Sequence, residues 1–150
     1  MYYSGGKGNE PNSIGYAISE DGINWIKNKA PIFVPDKSSD WDGEKVTACQ
    51  VFQKDNWYWM FYIGFNRCLQ AQIGIARSKD GVSNWKRYGN NPILSPTIGS
   101  WDADGVYKPF VLLTSSKCYL WYNGRRGAME QIGLAYHSLN YWKDYKNGNN

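Results

Sequence analysis

Apolar and aromatic residues fall in short runs along this chain, at residues 2–5, 46–52, 57–64, 106–113 and 118–124, and glycine or polar residues separate them. Runs of this length bounded by turn formers predict β-strands. The runs recur. Ile14-Gly15-Tyr16-Ala17 returns as Ile73-Gly74-Ile75-Ala76 and as Ile132-Gly133-Leu134-Ala135. Upstream of each copy lies an aromatic strand ending in glycine: Tyr2-Tyr3-Ser4-Gly5, Phe61-Tyr62-Ile63-Gly64 and Trp121-Tyr122-Asn123-Gly124. Downstream, Asp21-Gly22 leads to Trp25 and Asp80-Gly81 leads to Trp85, a hairpin signal in both copies. Pro31-Ile32-Phe33 then matches Pro92-Ile93-Leu94, and Trp41-Asp42 matches Trp101-Asp102.

A repeat near sixty residues with about four strands predicts an all-β protein built of β-propeller blades, each a four-stranded antiparallel sheet. The strands are lettered A to D from the axis outward. The A strands are the runs beginning at Val46 and Val106, the B strands the aromatic runs, the C strands the Ile-Gly-x-Ala segments, and the D strands the segments at Trp25, Trp85 and Trp142. Blade boundaries fall at about residues 1–38, 39–98 and 99–150, and the first blade lacks its innermost strand. A lone twisted sheet cannot bury both faces, so stacked blades account for the aromatic residues as core. A closed propeller needs at least four blades, so the ring is incomplete in one chain. Either a longer protein or a homodimer completes it, and the strand-like Tyr2-Tyr3 edge favours the dimer.

Composition narrows the function. Hydrophobic residues make up 42% and charged residues 20%, which excludes a disordered polyampholyte. The net charge of +4 comes without Lys/Arg runs, so no nucleic-acid partner is expected. No apolar run reaches the 18 or so residues of a membrane helix, and no signal peptide follows Met1, which predicts a cytoplasmic chain without membrane association. Cys49, Cys68 and Cys118 have no paired spacing, so free, mostly buried thiols are expected. His137 is the only histidine, and no glycine-rich phosphate loop precedes a helix, so neither a metal nor any other cofactor is expected.

The string IGxAxS-DG-W, Asn91-Pro92-Ile93-Leu94, Ser100-Trp101-Asp102, the Val106-x-x-Pro109 strand and Tyr119 to Gly124 resembles the blades of five-bladed propeller glycosidases. These are glycoside hydrolase families 43, 32, 68 and 130. Sialidase Asp boxes fit less well, since Asp21-Gly22 and Asp80-Gly81 are adjacent here. The resemblance implies a carbohydrate ligand at the axial opening and, for hydrolysis, two carboxylates facing the axis. In family 43 the catalytic acid stands one or two places before the strand A proline, here Pro109. Those positions hold Lys108 and Tyr107, and the matching ones in the preceding blade hold Ala48 and Thr47. Neither blade keeps that carboxylate.

The candidate catalytic carboxylates are therefore Glu44, Asp104, Asp42 and Asp102, which lie in matching pairs just before the A strands. Asp42 and Asp102 have a competing role as turn or strand caps. Tyr107, Lys108 and Gln50 on the A strands, with Trp41 and Trp101, are candidates for substrate binding, where hydrogen bonds combine with an aromatic face. The loop bearing Arg125, Arg126 and Glu130 reads as variable surface. Two functions follow: a carbohydrate-binding module, a glycosidase only as a closed oligomer or longer chain, or a non-catalytic assembly unit.

Overall fold

The structure, a computed structural model, describes residues 1–139. The first sheet holds β1 (Tyr2–Gly5), β2 (Ser13–Ile18) and β3 (Ile26–Lys27), with a 3-10 turn at Lys7–Asn9. The second holds β4 (Lys45–Lys54), β5 (Trp57–Phe65), β6 (Ala71–Ser78) and β7 (Lys86–Arg87). The third holds β8 (Gly105–Leu113), β9 (Lys117–Arg126) and β10 (Met129–Ser138). Within each sheet all pairs are antiparallel, and a single parallel rung, Ala71 to Gly105, ties β6 to β8.

β4 and β8 supply the A strands, and each matching segment of the repeat takes the same place in its sheet. The D strands are shorter than the sequence suggests, two residues each in β3 and β7, and the Trp142 segment lies outside the described residues.

Alternation along β5 explains why its sequence is almost continuously apolar. Met60 and Tyr62 point into a core shared with the first sheet, among Ile14, Phe33, Val46 and Ala76. Trp59 and Phe61 point the other way, into a core with Ile73, Ile75, Val106, Val111, Cys118, Leu120 and Tyr122. Side chains alternate between faces with period two, so a strand buried on both faces shows no polar alternation. Each such fully buried side chain contributes about 1.5–3 kcal/mol of transfer free energy, and together they bind the sheets face to face. All three cysteines are free; Cys118 is buried, Cys49 half-buried and Cys68 exposed. Burial pushes the Cys49 thiol up to about 12 and the Cys118 thiol up to about 11. No helix of the described residues is long and apolar enough to cross a membrane.

The Asp-Gly turns are built from side chains. Asp21 accepts from the backbone N–H groups of Ile23 and Asn24, each at 2.8 Å, while Ser19 Oγ accepts from Gly22 N at 2.8 Å. Asp80 repeats the pattern with Val82 and Ser83 at 2.9 and 2.7 Å. The donors from Asn24 hold the Asp21 carboxyl far below the ordinary range, and those from Ser83 do the same for Asp80. A carboxyl depressed in the folded state stabilises it above the unfolded pKa of about 3.9, and that contribution is lost as pH falls toward the folded value. Asp21→Ala with Asp80→Ala should therefore lower the melting temperature at pH 7 and flatten its decline below pH 4. Melts at pH 7, 4 and 2.5 test this, and an unchanged acid limb counts against it.

Candidate functional site

Both A strands carry a β-bulge at the same place in the repeat. In β4, Thr47 pairs with Ile63 and Cys49 with Tyr62, which leaves Ala48 extra. In β8, Tyr107 pairs with Asn123 and Phe110 with Trp121, so Lys108 and Pro109 together face Tyr122. Ala48 and Lys108 take left-handed backbone angles, φ 34° and 52°. A non-glycine residue held there stores about 1–3 kcal/mol, and such strain concentrates at functional positions. The bulge also re-aims side chains next to it. At the first bulge the extra residue is a small one, and its N–H donates to Ser4 Oγ at 2.8 Å.

The second bulge has the chemistry. Lys108 is exposed, and its ammonium lies 5.4 Å from the centroid of the Tyr107 ring. The Tyr107 hydroxyl is enclosed and faces the Glu130 carboxylate. Burial, and then the facing Glu130 carboxylate, pushes it up to about 12. Glu130 lies opposite Arg125 across the β9–β10 hairpin and accepts from Asn123 Nδ2 at 3.5 Å. The Tyr107 hydroxyl first, then Lys108, Asn123 and Arg125, hold the Glu130 carboxyl below the usual range, so it is an exposed anion at neutral pH.

Glu130 reads in the sequence as loop surface, whereas the structure places it on β10 within this cluster. Counting outward from the Arg126–Met129 end of the hairpin would have set it opposite Arg125.

The remaining candidates lie elsewhere. Asp42 is fully buried and accepts from Tyr62 Oη at 3.0 Å and from Arg87 Nε at 2.7 Å, both at Oδ2. Asp102 is buried too, with Thr97 N at 3.3 Å and Tyr122 Oη at 3.5 Å. These two carboxylates fasten the loops entering β4 and β8. Asp104 is exposed, and its Oδ2 accepts from Gly127 N at 2.6 Å, which anchors the β9–β10 turn. Glu44 is exposed, and its N–H donates to Phe65 O at 3.0 Å as Asp104 N–H does to Arg125 O at 2.9 Å. No hydrogen bond joins any two of the four among the described residues.

Trp41 lies flat against the second sheet, where a Cβ at Gly64 or Gly74 would stand 2.4 or 2.2 Å from its ring. Trp101 covers Gly124 in the same way. Gln50 donates from Nε2 to Val111 O at 3.0 Å and accepts from Val111 N, which clasps β4 to β8. Among the described residues no group of His, Cys, Asp and Glu could hold a metal ion.

Residues 1–149, nearly the whole chain, match the glycosyl hydrolases family 32 N-terminal domain. The chain belongs to that family. Its sheets are therefore blades of a glycoside hydrolase propeller, not closed into a ring in this chain. An uncharacterised protein of Mycobacterium tuberculosis (strain CDC 1551 / Oshkosh) is 28% identical over 127 residues, 83% of this chain and 40% of its own. A β-1,2-mannobiose phosphorylase of Thermoanaerobacter sp. (strain X514) is 38% identical over 77 residues, 49% of this chain and 24% of its own. Among solved structures, a family 117 glycoside hydrolase of Zobellia galactanivorans superposes with a TM-score of 0.71 at 21% identity, over 83% of this chain and 38% of its own. This chain of the family 32 N-terminal type thus spans about two-fifths, or less, of the length of these proteins.

Proposed function

We propose that the chain is a carbohydrate-binding part of a glycoside hydrolase-like propeller, working as a homodimer, with the saccharide seated on the β8 bulge. The observation that carries the site is the cluster of Tyr107, Lys108 and Glu130, where strained backbone presents a ring, a cation and an anion side by side. Sugar hydroxyls take hydrogen bonds from the ammonium and give them to the carboxylate, while a sugar face packs on the aromatic ring. Asp104, tied to the neighbouring hairpin, forms the rim, and Glu44 holds the matching rim position in the second blade.

The chain binds without cleaving. Glycoside hydrolysis uses two carboxylates flanking the bond. Asp42 and Asp102 are already engaged inside the blades, and the Asp104 carboxylate is tied to the Gly127 N–H, which leaves Glu44 without a second free carboxylate among the four.

The β-1,2-mannobiose phosphorylase similarity makes β-1,2-mannobiose the first probe, with the β-fructofuranoside sucrose as the second, after the structurally similar family 32 β-fructofuranosidase of Bombyx mori. Titration calorimetry should give saturable binding that Lys108→Ala and Glu130→Gln each weaken at least about tenfold, roughly 1.4 kcal/mol. Parallel product analysis should find no cleavage. Absence of binding at millimolar saccharide, or equal affinity in both variants, overturns the proposal.

A further inference from the structure

The second sheet is covered on both faces. Met60 and Tyr62 lie against the first sheet, and Trp59 and Phe61 against the third. What this sheet exposes beyond the ends of its strands is therefore open at the end of the stack and is not a side face. At the end where β4 and β8 begin, the exposed element is the loop between β5 and β6, residues 66–70, whose Arg67, Cys68 and Leu69 are all exposed.

That loop is fixed between the two rim residues. Phe65 O accepts from Glu44 N at 3.0 Å where the loop begins, and Gln70 Nε2 donates to Ala103 O at 3.5 Å where it ends, beside Asp104. The parallel rung from Ala71 to Gly105 holds the same junction. Asn66 draws the loop together: its Oδ1 accepts from Cys68 N at 3.0 Å and from Gln70 N at 2.9 Å, and its O accepts from Leu69 N at 2.9 Å. Leu69 takes a left-handed φ of 58°, backbone that suits glycine, and its side chain is 55% exposed.

The chemistry of the loop suits a sugar ring. Arg67 belongs to no ion pair among the described residues. Its planar guanidinium gives paired hydrogen bonds to neighbouring oxygens, which adjacent sugar hydroxyls supply, and Leu69 offers an apolar contact for the ring face. From Gly105, beside the loop, to Lys108 is three residues of strand, about 10 Å, so a ligand that touches both extends past a single ring.

We infer that the β5–β6 loop forms a second sugar subsite of the same binding site, with Arg67 as its specificity-determining residue and an oligosaccharide of more than two units as the ligand. This subsite presupposes the carbohydrate reading above and adds a chain length to it.

Titration calorimetry of the full chain with β-1,2-mannobiose and β-1,2-mannotriose should find the trisaccharide about tenfold tighter, the gain from one added hydrogen bond to a charged group. Arg67→Ala, at an exposed site, should bind both saccharides with the affinity that the parent has for the disaccharide, at unchanged far-ultraviolet circular dichroism. Cys68 reports occupancy of the loop without a substitution. It is the exposed thiol, while burial raises the pKa of Cys49 and Cys118, so iodoacetamide should label Cys68 first. Mannotriose should slow that labelling, and mannobiose should leave it unchanged. Equal affinity of the parent for the two saccharides, an undiminished gain in Arg67→Ala, or labelling of Cys68 indifferent to mannotriose overturns the subsite and leaves the carbohydrate reading standing. Failure of both saccharides to bind the parent overturns that reading and the subsite with it.

Discussion

Arg87→Met should destabilise the protein by about 3 kcal/mol, because it leaves the Asp42 carboxylate buried without its cation. Asp42 is 0% exposed, and both of its side-chain donors converge on Oδ2, while Oδ1 has no hydrogen-bond partner among the described residues. Removing one member of a buried ion pair typically costs about 3–5 kcal/mol, since the surviving charge keeps its desolvation penalty. The Arg87 side chain is 24% exposed, which admits some water and places the estimate at the lower end. Arg87 has a second duty. Its Nη2 donates to Val34 O at 2.6 Å, and its guanidinium lies 4.2 Å from the centroid of the Phe33 ring, so it also ties the segment leaving the first blade to the second.

Asp42→Asn in the Arg87→Met background removes the stranded charge and should recover most of the loss. Urea denaturation of the parent, both single variants and the double variant gives the coupling directly. A loss below about 1 kcal/mol for Arg87→Met would show that water reaches Asp42.

Gly74→Ala should cost about 2 kcal/mol, because the added methyl enters space filled by an indole. The new carbon would stand 2.2 Å from the Trp41 ring and 3.2 Å from the Asn91 side chain, whose amide is fixed by bonds to the backbone of Ile75. Gly74 has no left-handed angle, so the cost is steric and not conformational. Overpacking of this kind costs about 1–3 kcal/mol. Trp41 is wedged between the glycines of β5 and β6, with its ring centroid 5.5 Å from that of Tyr62 at a tilt of 39°, so the indole cannot slide toward β5 without meeting Gly64. Trp41→Leu in the Gly74→Ala background should therefore recover part of the loss. Gly89→Ala, where a Cβ meets nothing within 4 Å, is the matched control and should stay within about 0.5 kcal/mol. Thermal melts followed by tryptophan fluorescence check all three. A neutral Gly74→Ala would mean that the indole moves at no cost.

Strand positions were legible because the repeat prints them three times. The glycines at 64 and 124 read as strand ends, and their cause, an indole laid across the backbone, needs the third dimension. The bulges were invisible for a different reason. Ala48 and Lys108 are ordinary residues in ordinary strand sequence, and their left-handed angles follow from the register that β5 and β9 impose. Gln50 read as a ligand group because a polar residue on an inner strand has two uses, and only the position of Val111 distinguishes them. Asp42 and Asp102 carried both readings from the outset, and what the sequence could not show is their burial beside Tyr62 and Tyr122.

The paired bulges separate a socket from its occupant. Two blades bend their innermost strand at the same place, yet one fills the bend with a methyl group and the other with a lysine. Backbone shape there is set by neighbouring strands and is paid for whether or not a useful side chain sits on it. Chemistry can then be moved from blade to blade by changing one or two residues, without redrawing the architecture that presents them.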